Sequence, residues 1–223
     1  MSPRAATALP LVLIAACAAA FLRTEQLKLR HSPVGNPHVH TVFSPGCTDP
    51  RCRPVANMRF KLRSAQVLSL AMVNGSGRVV KTLVSHRRYP KSIVHATWDG
   101  TDTAGGRAPD GNYELRVTLS DGRILTIPDP IIVDTVAPTV KIGKVQHGRT
   151  QLNVPYTRSK GPGKAQVVVT KDGRVVMRRH ILPHEFHLPY ASLGPGRYTV
   201  SVVGIDLAGN RTTNPPSFTV TIP

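Results

Sequence analysis

The sequence predicts an all-β protein, two small β-sandwiches in tandem behind an apolar N-terminal helix, and three observations carry that prediction. First, apolar and polar residues alternate in runs: Tyr113, Leu115, Val117 and Leu119 interleave with Glu114, Arg116, Thr118 and Ser120, the period of a strand with one buried face. Second, 18 Gly and 20 Pro punctuate 223 residues that are only 5% aromatic, as many short strands joined by turns require. Third, the chain restates itself in order. Gly77-Arg78-Val79-Val80 returns as Gly173-Arg174-Val175-Val176, and the strand opened by Gly111 and Tyr113 returns as one opened by Gly196 and Tyr198. The offset of 85 between the tyrosines (198 minus 113) fits one small sandwich per copy.

Taken in order, the chain opens with a short basic stretch to Arg4 and then runs uncharged from Ala5 to Leu22. As a helix this run spans about 27 Å, close to the hydrocarbon thickness of a bilayer, and it reads as a membrane anchor over residues 5–22. Two other fates stay open. Ile14-Ala15-Ala16-Cys17 resembles a lipoprotein signal with Cys17 as the acylated residue, and Ala18 and Ala20 fit a cleavage site. Residues 1–30 are therefore assigned to the anchor and its connector, 31–134 to a first domain and 135–223 to a second. Arg23, Lys28 and Arg30 follow the apolar run, so a count of positive flanks alone places the bulk of the chain in the cytoplasm. The close pair Cys47 and Cys52, read as a disulfide, argues for an oxidising compartment instead. The expectation is a single-pass cell-membrane protein with extracytoplasmic domains.

His38 to Phe43 reads as a first strand after the breaker His31 to Pro37. His38 and His40 with Cys47 and Cys52 form an alternative four-ligand set for zinc or copper. Met58, Phe60 and Leu62 alternate with Arg59, Lys61 and Arg63; Val67 to Val73 is apolar; Asn74 to Gly77 turns the chain; and Arg78 to Val84 returns as a hairpin partner. His86 to Lys91 is expected to be a basic loop. Further strands follow at Ser92 to Trp98, Tyr113 to Leu119, Arg123 to Ile127 and Ile131 to Val133, and Asp134 to Pro138 links the copies. In the second copy His180, His184 and His187 cluster loosely without carboxylate or Cys support, a weak metal site.

The run from Trp98 to Tyr113 is the most strongly patterned in the chain, with Asp99, Asp102 and Asp110 among four Gly and Pro109. Gly, Pro and Asp build tight turns for separate stereochemical reasons; the spacing fits no calcium loop. Trp98, Asp99, Gly100, Asp102, Gly105, Pro109, Asp110, Gly111 and Tyr113 together resemble the signature of the FlgD-type Ig-like domain, a module of the flagellar hook-capping protein found in many exported bacterial proteins. The resemblance implies an Ig-like or fibronectin-III-like sandwich and a spacer or binding role. It also suggests Tyr113 and Tyr198 as corner tyrosines bonding nearby backbone. Gly204 to Asn210 resembles the D-x-A-G-N turn of other exported bacterial Ig-like repeats, which makes Asp206 and Asn210 turn residues, and Gly111 and Gly196 open the paired strands. Gly111 follows Gly77 by 34 positions (111 minus 77) and Gly196 follows Gly173 by only 23 (196 minus 173). The second copy thus lacks eleven residues where the first has its loop, so Trp98, Asp99, Asp102, Arg107 and Asp110 are the candidate recognition residues.

A charge of +17 divides as +8 (17 minus 9) up to Asp134 and +9 (12 minus 3) after it. Uniform basicity favours anionic neighbours, and the expected partner is an envelope protein or an anionic cell-wall polymer. Specific nucleic-acid binding is not expected, because no basic element carries interleaved aromatics for stacking. Nucleophile-elbow, zincin, phosphate-loop and dinucleotide motifs are all missing. The chain reads as a non-enzyme without a cofactor, a structural or binding module at the bacterial cell surface, with an appendage-assembly scaffold and a metal-handling protein as alternatives.

Overall fold

The computed structural model describes residues 13–14, 16–22, 32–39, 42–50, 52–161, 163–181 and 184–222. In the first unit the strands are β1 (Val34–Val39), β2 (Val42–Phe43), β3 (Ala56–Leu62), β4 (Gln66–Asn74), β5 (Val79–Tyr89), β6 (Ile93–Trp98), β7 (Gly111–Leu119), β8 (Ile124–Thr126) and β9 (Ile131–Val133). The second unit has β10 (Val140–Ile142), β11 (Gln146–His147), β12 (Gln151–Arg158), β13 (Gly163–Lys171), β14 (Arg174–Ile181), β15 (Glu185–Pro189), β16 (Gly196–Asp206) and β17 (Ser217–Ile222).

Each unit is a sandwich of two sheets. The first packs β1-β3-β6 against β2-β9-β7-β4-β5; the second packs β10, β11 and β15 around β12 against β14-β13-β16-β17. The repeat seen in the sequence is a repeat of topology: β3 pairs β6 as β12 pairs β15, and β5-β4-β7-β9 has the order of β14-β13-β16-β17. This division of strands is the fibronectin-III-like form of the sandwich. Alternation decides which side chains meet. In β3, Ala56, Met58, Phe60 and Leu62 are buried while Asn57, Arg59 and Lys61 are exposed. One core gathers Phe43, Phe60, Leu70, Trp98 and Leu115; a second gathers Leu152, Val167, Phe186, Leu188 and Val200. Full burial of such a side chain is worth about 1.5–3 kcal/mol, so these two clusters carry most of the stability.

Three expectations change. The first strand begins at Val34, within the stretch expected to break structure, and its neighbour Val42–Phe43 lies in the opposite sheet, parallel to β9. β1 is an edge strand whose register shifts between Gly35 and His38, and an edge with such a shift can hold Pro37, which has no amide to donate. The supposed basic loop His86 to Lys91 is largely the end of β5, which continues to Tyr89. At the N-terminus, residues 13–14 and 16–22 are helical and exposed, and among the described residues no helix is long and apolar enough to cross a membrane. The rest of the expected anchor over residues 5–22 falls outside the described residues.

Candidate functional site

The Trp98–Tyr113 loop closes one pole of the first sandwich. The indole of Trp98 is 1% exposed and lies edge-on to Phe43 at 5.5 Å and to Tyr113 at 4.8 Å, the geometry that aromatic quadrupoles favour. Its N–H donates to the Thr101 carbonyl at 2.8 Å. Gly100 sits at φ +78°, and a Cβ there would run into the ring of Pro45, so this position requires glycine on two counts.

The acidic residues of the loop do not converge. Asp99 accepts the amide and hydroxyl of Thr101 at 3.0 and 2.8 Å; these bonds, the amide first, hold its carboxyl below the ordinary value. Asp102 accepts the Gly106 amide at 2.8 Å, and its carbonyl receives Lys81 Nζ at 2.8 Å. Asp110 reaches out of the loop to accept the amide and hydroxyl of Thr135, each at 2.9 Å. Tyr113 donates to the Pro109 carbonyl at 2.6 Å, with its phenol held above the ordinary value by burial and then by the Asp110 charge. Tyr198 donates to the Leu193 and Gly194 carbonyls. Both tyrosines therefore tie a strand to the loop before it. Gly111 and Gly196 enter their strands at φ +153° and +140°.

The pole carrying this loop faces the second unit. Cys47 and Cys52 are bonded to each other, as expected, so neither supplies a thiolate and the proposed cysteine–histidine metal set fails. His38 lies instead in register with Arg59, which pairs in turn with His95, and His40 falls outside the described residues. Just beyond the disulfide, the Arg53 amide donates to the Ala208 carbonyl of the second unit at 3.2 Å, and Asp49 faces the Arg211 guanidinium at 3.8 Å. Arg211 also donates to the buried Gln166 at 3.0 Å. The Asn210 amide donates to Asp206 Oδ1 and its Nδ2 to Asp206 Oδ2, each at 2.9 Å, and Nδ2 also donates to the Asp134 carbonyl at 2.8 Å. Lys160 bridges Asp134, Asp206 and the Val136 carbonyl. The linker is thus gripped by Asp110 from one side and by Lys160 and Asn210 from the other. A shallow cleft of about 350 Å³, lined by Arg107, Asp49, Thr135 and Arg211 among others, lies beside it.

Sequence reasoning found the turn residues and the corners but missed Asp49, Arg53, Lys160, Gln166 and Arg211. Asp49, Arg53 and Arg211 had a local signal, their place beside the cysteine pair or the D-x-A-G-N turn, whereas Lys160 and Gln166 had none. In the second unit, His180 and His187 line a different cleft of about 500 Å³ with Arg179 and Glu185. Among the described residues, no three His, Cys, Asp or Glu side chains are placed to share a metal.

Fold and polar contacts together define a tandem Ig-like module. Residues 55–123 match the family model of the FlgD Ig-like domain, the family that the Trp98–Tyr113 signature resembles. No curated protein matches the chain. Solved structures similar to it include the fibronectin(III)-like modules of Clostridium thermocellum CbhA, at 20% identity over 84% of this chain and 94% of that one, with a TM-score of 0.40. The FN1–FN3 domains of chicken CNTN1 are 14% identical over 84% and 66%, with a TM-score of 0.42. A tetra-tandem repeat from the extending region of a large adhesion protein is 17% identical over 84% and 50%, with a TM-score of 0.31.

Proposed function

We propose that the chain is a non-enzymatic structural and binding module of the bacterial cell surface, anchored through residues 5–22, with two extracytoplasmic sandwiches that meet at Asp134 in a fixed relation. One observation carries the reading: the polar groups that resemble a site spend their bonds on backbone and on the joint. Asp99 and Asp102 close their own turn, Asp110 holds Thr135, and Asp206 holds Asn210. A catalytic acid, base and nucleophile would have to converge on one point, and these groups diverge. A disulfide beside the joint suits an oxidising compartment.

Two experiments test it. A C-terminal reporter that is active only in the cytoplasm tests the topology, and activity of that reporter would sink the export reading. Crosslinking in intact cells, followed by identification of what is captured, tests the binding role; an envelope protein or cell-wall polymer is the expected product.

A further inference from the structure

We propose that the lateral edges of the two sandwiches, along β5 from His86 to Tyr89 and along β14, each form a docking strip for a linear, phosphate-bearing polymer of the cell envelope. The inference rests on the reading above and names the partner class. β5 ends the sheet β2-β9-β7-β4-β5 and β14 begins the sheet β14-β13-β16-β17, so the two strands occupy the same position in the repeated topology. Both are basic and neither contains Asp or Glu: β5 ends in His86, Arg87, Arg88 and Tyr89, and β14 runs Arg174 to Ile181 with Arg178, Arg179 and His180. Those Arg and His residues are exposed. Asp49, Asp110, Asp134 and Asp206 are engaged at the joint, and Glu185, which lines a cleft with Arg179 and His180, is the acidic neighbour of β14 there.

Chemistry selects the occupant. The charges are mainly guanidinium, whose planar fork matches phosphate oxygens in pairs. Among the described residues Arg88 and Arg178 make no ion pair, whereas Arg87 lies over the Tyr89 ring at 5.3 Å and Arg179 donates to the His187 carbonyl at 2.8 Å. An acidic peptide adding as an extra strand would need an unbroken row of edge hydrogen-bonding groups. The pairing of β5 shifts register three times along β4, His86 stands at φ 45°, and the pairing of β14 shifts between Val169 and Thr170. Such bulges turn an edge away from strand addition yet leave its charges reachable. Nucleic acid would in addition look for stacking aromatics, and β5 offers only Tyr89, already under Arg87.

The test is binding of the full chain to long-chain inorganic polyphosphate across a salt series. The variant R88Q/R178Q removes two exposed edge charges; the control R59Q/K61Q removes two exposed charges from β3, in the opposite sheet. Unfolding curves of both are expected to match the parent. The edge pair is expected to weaken binding by about tenfold and to flatten the dependence of log affinity on log salt by about 0.7–0.9 per lost phosphate contact; the control is expected to change affinity less than about twofold. Equal losses in the two variants would show general attraction to a +17 protein and overturn the proposal. So would an acidic peptide that slows amide exchange along β14 while polyphosphate fails to bind, or a DNA duplex that outcompetes polyphosphate at equal phosphate concentration. A cytoplasmic C-terminal reporter would overturn the envelope setting while leaving the edge binding intact, so the two failures can be told apart.

Discussion

Replacing Trp98 with Ala is expected to cost the first sandwich about 4 kcal/mol. A buried tryptophan removes roughly 150–250 Å² from water, worth about 4–6 kcal/mol at ~25 cal/mol per Å². That figure is an upper bound, because a denatured chain already buries part of its surface; core Trp-to-Ala changes fall at about 3–5 kcal/mol. The side chain is 1% exposed, holds two edge-on aromatic contacts and donates to Thr101, which puts it in the upper half of that range. For a unit of about 100 residues, each kcal/mol moves the midpoint by about 4–8 °C, so the thermal transition of the first sandwich is expected to fall by roughly 16 °C or more. Calorimetry on W98A and the parent reads this directly, with the transition of the second sandwich as an internal reference. W98F, which keeps a ring but drops the donor, is expected to recover more than half of the loss. A W98A deficit under about 1.5 kcal/mol, the scale of a half-exposed contact, would refute the assignment of this loop to the core.

The remaining expectations concern the same loop and its counterpart. Tyr113→Phe and Tyr198→Phe should each cost about 1 kcal/mol by denaturant titration, the usual worth of one internal hydrogen bond, and should act on different sandwiches. Gly100→Ala should cost at least about 2 kcal/mol, since it adds a left-handed backbone penalty of roughly 1–2 kcal/mol to a collision with Pro45. Asp99 has a depressed pKa in the folded state, so its contribution is fully present above the ordinary carboxylate value and is lost as pH falls through the depressed one. Asp99→Asn should therefore flatten the acid limb of a stability–pH profile below about pH 4 and leave the neutral region within about half a kcal/mol of the parent, as expected for an exposed group.

How much of this was legible in the sequence depended on whether the cause was local. The strand from Tyr113 to Leu119, the turns at Gly77 and Gly173 and the corner tyrosines rest on alternation and turn chemistry, which one chain displays by itself. β1 was not legible, because Pro33, Gly35 and Pro37 signal a break unless the strand is known to lie at an edge. The end of β5 looked like a loop for a similar reason: a solvent-facing edge strand carries charge where an inner strand carries Val or Ile. The joint was the least visible part. Asp110 meets Thr135 across 25 positions, Asn210 meets Asp134 across 76, and Asp49 meets Arg211 in the other sandwich. Nothing in the periodicity of any segment encodes such pairings, so the aspartates of the loop suggested recognition until their partners were seen.

The claim that these polar residues serve a fixed joint is tested most directly by residual dipolar couplings measured on the oxidised full chain. If Asp49, Arg53, Asp110, Lys160 and Asn210 hold the linker as described, amides of 42–133 and of 140–222 will fit one alignment tensor of common magnitude and orientation. Two tensors of different magnitude would mean that the sandwiches reorient independently, and would contradict the structural role assigned to the Trp98–Tyr113 loop and the disulfide beside it.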